Sequence, residues 1–166
     1  MPIAPDPERI TGCTCSRLRK LTRRITQHYD AHLAPAGLRV TQYSLLANLC
    51  RGGPATMSEL AAAMAMDRTT LTRNLKPLAD AALVTVAPGD DARARIVSAT
   101  GRGRRAWQGA RALWREAQDS VNRALGAGQV AALHDLLDDS LRRLRGARAA
   151  ARPDPTKLAG MPRRPR

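Results

Sequence analysis

The sequence predicts a mainly α-helical chain with a small β-hairpin. Apolar residues recur every three to four positions along most of it, which is the spacing of one helix face. One short stretch, residues 84–99, alternates around a turn instead, which is typical of a hairpin. The length of 166 residues suits one domain with its own core. We expect a flexible lead at 1–11, a single domain at 12–151 and a disordered basic tail at 152–166.

The first helix is predicted from about Cys13 to Leu33, because one apolar face runs through this segment. Its members are Leu18, Leu21, Ile25, Tyr29 and Leu33. Pro35 and the glycine two residues later end the helix. We expect Thr41 to cap a second, shorter helix that ends before residues 52–54.

Two caps predict the next two helices. Thr56 and Glu59 form a capping box, in which each side chain bonds a backbone N–H of the other residue. Asp67 caps the following helix, which we expect to continue to about Ala82 with a kink at Pro77. The predicted buried stripe of this helix is Leu71, Leu75, Leu78 and Ala82, and its polar stripe is Thr69, Thr72, Arg73 and Lys76.

The hairpin and two more helices complete the domain. Residues 84–86 form one strand and residues 93–99 the other, with Ala94, Ile96 and Ser98 on one face. After Thr100 a long helix is expected to about Leu125, and after glycines at 126 and 128 a last helix follows. Their apolar stripes are Trp107, Ala110, Trp114, Ala117, Val121 and Ala124, and Val130, Leu133, Leu137, Leu141 and Leu144.

Composition favours a polyanionic partner. Lys and Arg together number 28 and Asp and Glu 14, so the formal net charge is +14. Such a surplus favours nucleic acid first and an acidic membrane surface second. The chain has two Trp, two Tyr and no Phe, which disfavours modules that stack single-stranded bases on aromatic side chains. A protein that binds duplex DNA through Arg, Lys and Thr is consistent with this composition.

Other classes of protein are disfavoured. An odd number of cysteines and a proline-rich start argue against a secreted, disulfide-bonded protein. No apolar run approaches the roughly 18 residues of a membrane span. No phosphate-binding loop, H-E-x-x-H motif or nucleophile beside a histidine indicates an enzyme. We therefore expect a cytoplasmic, non-enzymatic protein with no cofactor and no metal.

Two capped helices followed by a basic hairpin are the pattern of a helix-turn-helix with a wing, here at about 41–100. In this interpretation Arg73 reads guanine, threonine methyl groups meet thymine, and the flanking cations meet phosphate. The expected DNA contacts are Arg68, Thr69, Thr70, Thr72, Arg73, Lys76, Arg93 and Arg95. Two alternatives stay open: an ordinary solvated helix face, and a basic protein that coats DNA without sequence preference.

Three runs of the sequence resemble the MarR family of winged-helix transcriptional regulators. They are LTRRITQHYDAHLAPAGLRVTQYSLLANL, TMSELAAAMAMDRTTLTRNLKPLADAALV and DARARIVSATGRG, and the similarity covers about residues 13–145. The last contains the pattern D-x-R…T-x-x-G at Asp91, Arg93, Thr100 and Gly103; Ala99 departs from it, since the family usually has Leu there. The resemblance implies that Arg93 enters the minor groove and that Asp91 braces the wing.

The resemblance also implies a homodimer whose first and last helices interleave, here at about 12–33 and 101–148. The residues favour the same assembly, because these helices carry apolar stripes that a winged helix alone would not cover. A dimer would read an inverted repeat in double-stranded DNA. We expect a repressor that a small aromatic or acidic effector releases from DNA.

Cys15 is a possible redox sensor. It begins the first helix beside arginines, which is typical of reactive thiols, although a free cysteine is commonly buried and inert, here in the dimer interface. Its distance of fourteen residues from Tyr29 matches the organic-hydroperoxide-sensing branch of the family, but Arg19 stands where that branch has a second Tyr. Cys13 could trap oxidised Cys15, although a bond between subunits is more plausible than one along a single helix.

A histidine pair is the other candidate. His28 and His32 share one helix face at the spacing of helical metal sites, but no third ligand is evident unless the fold supplies His134. We therefore expect two histidines without a metal.

Overall fold

The computed structural model describes residues 12–89 and 94–150, with side chains to residue 144. It confirms a mainly helical chain with a small antiparallel sheet and a winged helix-turn-helix. In order, the elements are α1 (Thr14–Leu33), a 3-10 turn (Ala34–Ala36), α2 (Val40–Gly52), β1 (Ala55–Thr56), α3 (Met57–Ala63), α4 (Arg68–Asp80), β2 (Val84–Pro88), β3 (Arg95–Ala99), α5 (Gly101–Leu125) and α6 (Ala127–Ala150). None of these helices is both long enough and apolar enough to cross a membrane. The predicted lead and tail lie outside the described residues.

Both predicted caps of the helix-turn-helix are present. The Thr56 hydroxyl accepts the N–H of Glu59 at 3.1 Å, and the Glu59 carboxylate accepts the N–H of Thr56 at 2.8 Å. The Asp67 carboxylate accepts the N–H of Thr70 at 2.8 Å. The helix α4 then continues through Pro77 for three more residues, as predicted.

The sheet has three strands in the order β1-β3-β2. Val84 pairs with Ala99 and Pro88 with Arg95, which gives the predicted hairpin. The strand β1 was not predicted, because its two residues are defined by pairing with β3, some 40 positions later along the chain. Val97 and Ala99 are the buried side of β3, whereas Ala94, Ile96 and Ser98 are half-buried.

The core of the first compact unit, which ends at Asp119, lies between α2, α4, the sheet and the start of α5. Its largest fully buried side chains are Leu33, Leu45, Leu46, Leu60, Leu71, Leu78 and Val97. At the start of α5 the Thr100 hydroxyl donates to the carbonyl of Ala82 at 2.8 Å and accepts the N–H of Gly103 at 2.9 Å. Thr100 therefore ties the end of the wing to the residues that follow α4.

Three predicted details are wrong. Thr41 does not cap α2, because that helix already begins at Val40, whose N–H is bound by Asp30 of α1 at 2.7 Å. Ala82 is exposed and not part of the buried stripe, because α4 ends at Asp80 and Ala82 has a φ of +54°. Gly128 does not break the chain but lies within α6.

Several apolar side chains of the long helices are not covered. In α1, Tyr29 and Leu33 are buried, but Leu18 and Leu21 are 44% and 38% exposed. In the second unit, which begins at Ser120, Val130 of α6 is buried, and three leucines of that helix are exposed by 47–67%. They are Leu136, Leu141 and Leu144.

Candidate DNA-binding interface

The helix α4 has one buried face and one exposed face. Leu71, Leu75 and Leu78 are buried in the core. The side chains expected to meet DNA are exposed on the other positions: Arg68, Thr69, Thr70, Thr72, Arg73 and Lys76. The spacing that buries the leucines therefore presents three cations and three threonines to solvent on one helix.

These side chains differ in whether their polar groups already have a partner within the chain. The Thr70 hydroxyl donates to the Asp67 carboxylate at 2.7 Å, and the Thr72 hydroxyl donates to the Arg68 carbonyl at 2.8 Å. Lys76 forms an ion pair with Asp80 at 2.8 Å. Within the described part of the chain, the guanidinium of Arg73 makes no hydrogen bond or ion pair. The same holds for the guanidinium of Arg68, so both arginines of α4 are available to DNA, whereas Lys76 is already paired.

The N-terminal cap of α4 carries a negative charge at the exposed face. Hydrogen bonds from the hydroxyl and then the N–H of Thr70 hold the pKa of Asp67 below its ordinary value of 3.8. At neutral pH the carboxylate is therefore ionised, and it fixes the first turn of the helix. Thr70 serves this cap and keeps only its methyl group and oxygen lone pairs for another partner.

The wing contributes one described cation. Arg95 is exposed at the start of β3 and pairs across the hairpin with Pro88. Asp91 and Arg93, expected to brace the wing and to enter the minor groove, lie outside the described residues. Between α4 and the strands lies a groove of about 400 Å³. Its lining is Met57, Arg68, Thr72, Leu75, Lys76, Ala79, Val86 and Arg95.

The candidate sensor cysteines are exposed. Cys13 is the N-cap of α1 and Cys15 lies in its first turn. Fourteen helical residues correspond to about 21 Å, so Cys15 and Tyr29 of one chain do not meet. The Tyr29 hydroxyl instead donates to the Gln118 side chain at 2.5 Å, and burial raises the pKa of Tyr29.

The two histidines of α1 bind backbone carbonyls. The Nε2 atom of His28 lies 3.2 Å from the Ala117 carbonyl, and the Nδ1 atom of His32 lies 2.9 Å from the His28 carbonyl. Each ring therefore donates one N–H, which leaves a single lone-pair nitrogen per ring. Among the residues that the structure describes, no three His, Cys, Asp or Glu side chains form a metal-binding group. His134 is exposed on α6.

Four side chains make structural contacts that the sequence did not predict. Asp30 bonds the start of α2 from the preceding helix, and nothing in the spacing of the sequence indicates this bond. Arg104 donates to the Ala99 carbonyl at 2.8 Å, which fastens β3 to α5. The guanidiniums of Arg51 and Arg111 lie 5.6 and 5.4 Å from the centre of the Trp107 ring, which is cation–π distance.

Known proteins place the chain in a family. The model of the MarR family matches residues 36–94. The solved structure of the Mycobacterium tuberculosis transcriptional regulator MosR in complex with DNA is 39% identical, with 78% of this chain and 98% of that chain covered and a TM-score of 0.66. A probable transcriptional regulator from Pseudomonas aeruginosa is 28% identical over 72% of this chain and 92% of its own, with a TM-score of 0.63.

A mutant of MarR from E. coli complexed with operator DNA shares the fold, with 24% identity, coverage of 76% and 92% of the two chains and a TM-score of 0.69. No curated protein matches the sequence. The family model spans the winged helix from α2 to β2, and the similarity to MosR extends over nearly all of the MosR chain. The chain therefore belongs to the MarR family.

Proposed function

We propose that this chain is a sequence-specific transcriptional regulator that binds double-stranded DNA in the cytoplasm, as a repressor. The observation that carries the proposal is α4, a capped helix with three leucines in the core and a row of cations and threonines in solvent. The related MosR is solved in complex with DNA, and MarR in complex with operator DNA. The chain acts by binding and not by catalysis.

The helix α4 enters the major groove in this proposal. Arg73, which has no partner within the described residues, forms two parallel hydrogen bonds with guanine O6 and N7. Arg68 and Lys76 meet phosphates, and Thr69 and Thr72 place methyl groups near thymine. Arg93 and Arg95 bring the wing to the neighbouring minor groove, where a narrow, A·T-rich groove attracts arginine most.

The regulator is a homodimer on an inverted repeat. The exposed leucines of α1 and α6 support this assembly, because a second chain would remove them from water. Two recognition helices related by a two-fold axis then meet half-sites about 10–10.5 base pairs apart.

Substitutions in α4 test base reading against phosphate binding. A preferred site is first selected from random duplex DNA. We expect Arg73→Ala to cost about 1–3 kcal/mol and to relax preference at one base position. Lys76→Ala should weaken all sequences alike and reduce the salt slope by about one. If selection returns no preferred sequence, the protein coats DNA without specificity; if Arg73→Ala keeps the wild-type preference, α4 does not read the bases.

We also propose that a small acidic aromatic molecule releases the DNA. Two places could hold it: the space between the dimer helices and the winged helix, and the groove beside α4. The apolar side chains Met57, Leu75 and Val86 line this groove together with three cations. An anion bound there would pair with the cations that otherwise contact the DNA phosphates. Benzoate should weaken DNA binding by the wild type, and Ala79→Leu, which narrows the groove, should abolish this response.

Thiol-based peroxide sensing is the second candidate, and the exposure of Cys13 and Cys15 at the start of α1 favours it. Peroxide would oxidise Cys15 to a sulfenic acid, which a second thiol would convert to a disulfide with loss of water. DNA affinity of the wild type and of Cys15→Ser is measured with and without an organic peroxide. A loss confined to the wild type and reversed by reductant supports the switch, and equal affinity in all four samples leaves the non-covalent effector.

A further inference from the structure

Three consecutive residues near the end of α1 connect this helix to two others. The His28 ring donates to the Ala117 carbonyl, and the Tyr29 hydroxyl donates to the side chain of Gln118, both on α5. Asp30 points elsewhere, since successive helical residues lie about 100° apart, and its carboxylate accepts the N–H of Val40 at 2.7 Å. The end of α1 is therefore joined by side chains to α5 and to the first helix of the winged helix.

Asp30 caps the N-terminus of α2, a role that usually belongs to a side chain at the start of the helix itself. The first N–H groups of a helix have no partner within it. Gln42 accepts the N–H of Arg39 at 2.8 Å, and Asp30, ten residues before Val40, accepts the next one. A carboxylate at a helix N-terminus is also favoured by the helix dipole. The start of α2 therefore depends on a half-buried side chain of α1.

We propose that Asp30 is a positioning residue that fixes the orientation of the winged helix relative to α1 and so sets the half-site spacing that the dimer accepts. The inference rests on the proposed function, because it takes α1 as the helix that joins the two protomers. A small rotation where α1 meets α2 displaces α4, which lies further along the same unit. Losing the bond therefore lets the distance between the two α4 helices of the dimer vary, while the DNA-contacting side chains of each α4 stay unchanged.

The test compares operators of different spacing. One inserted base pair rotates a half-site by about 34° and moves it by about 3.4 Å. The wild type should bind this lengthened operator about tenfold or more weakly than the selected operator. Asp30→Ala should reduce that ratio to about threefold or less, while its affinity for a single half-site stays at the wild-type value. A change in overall stability alone would leave the ratio between the two operators unaltered.

Two further variants locate the effect in the bond. Val40→Pro removes the donor and not the acceptor, and proline is well tolerated at the first position of a helix. It should give the same relaxed ratio, and it carries the test if Asp30→Ala loses its helical circular dichroism. Asp30→Asn keeps an acceptor oxygen and should restore the wild-type ratio.

Gln42→Ala is the matched control, because it removes a bond from the same helix end that does not reach α1. It should keep the wild-type ratio. The inference is overturned if Asp30→Ala and Val40→Pro discriminate the two operators as strongly as the wild type, or if Gln42→Ala relaxes the ratio equally. A wild type that binds both operators alike instead overturns the proposed dimer on an inverted repeat, and the role of Asp30 with it.

Discussion

At the scale of single residues, Gly103 occupies a position that no larger residue fits. A Cβ atom there would lie 2.0 Å from the carbonyl oxygen of Leu83, which is backbone and cannot move aside cheaply. We expect Gly103→Ala to lower the free energy of unfolding by about 3 kcal/mol or more in urea titration. Gly109→Ala on the same helix is the control, because nothing lies within 4 Å of its added methyl group. It should stabilise by about 0.5–1 kcal/mol, and equal loss in both variants would contradict this account.

At Ala82 the reverse holds, because glycine suits the backbone conformation better than the alanine that is present. Its φ of +54° lies in the left-handed region, which costs a residue with a side chain about 1–2 kcal/mol. Glycine carries no such cost, so Ala82→Gly should raise the free energy of unfolding by about 1 kcal/mol. Ala81, with an ordinary φ of −83°, provides the control, and Ala81→Gly should lower it by about 0.5–1 kcal/mol. Thermal denaturation of the two variants should therefore shift in opposite directions.

Residues that act on near neighbours in the sequence could be predicted, and those that act across it could not. Thr56, Glu59 and Asp67 were identified because each cap joins residues three apart. Asp30 was not, because its partner lies ten residues away on another helix. The exposed set on α4 followed from spacing alone, but the engagement of Thr70 by Asp67 requires side-chain geometry.

At the scale of elements, the two capped helices predict how stability responds to acid. Hydrogen bonds from Thr56 hold the pKa of Glu59 below its ordinary 4.5, and those from Thr70 lower the pKa of Asp67. Because the folded state favours the ionised form, this stabilisation is complete above the ordinary pKa values and is lost as pH falls through the lowered ones.

The double variant Glu59→Gln, Asp67→Asn keeps capping groups that do not titrate. Its urea midpoint should fall less than that of the wild type between about pH 5 and about pH 3. Glu116→Gln with Asp119→Asn removes two exposed carboxylates of α5 and should retain the wild-type decrease. An identical decrease in the cap variant would show that the two caps do not contribute to acid sensitivity.

Elements with their own periodicity were predicted, and elements defined by distant pairing were not. The extents of α1 and α5 follow from apolar spacing and terminal signals within each segment. The strand β1 exists only through its pairing with β3. The end of α4 was placed two residues late, because Ala82 continues the apolar spacing although the chain has already turned.

At the scale of the whole molecule, the apolar faces of the long helices exceed what one chain buries. The prediction that one face of α1 is apolar is correct, but only its second half is covered, by residues of the first unit. The face therefore extends beyond the core that it helps to form. Sequence periodicity identifies such a face but contains no information on whether the same chain or another one covers it.

Leu21 tests whether a second copy covers this face. It is 38% exposed in the single chain, so Leu21→Lys costs little in a monomer, whereas an apolar dimer interface would bury the charge at a cost of several kcal/mol. We expect sedimentation at micromolar concentration to show a dimer for the wild type and mostly monomer for Leu21→Lys. Gln27→Lys is the matched control, because it adds the same charge on the opposite side of α1, where Lys20, Arg23 and Arg24 already lie. It should remain dimeric.

A monomeric wild type, or equal dissociation of both variants, would refute α1 as the dimer helix. If Leu21→Lys is monomeric, it should also bind an inverted repeat no more tightly than a single half-site, since each winged helix then binds alone.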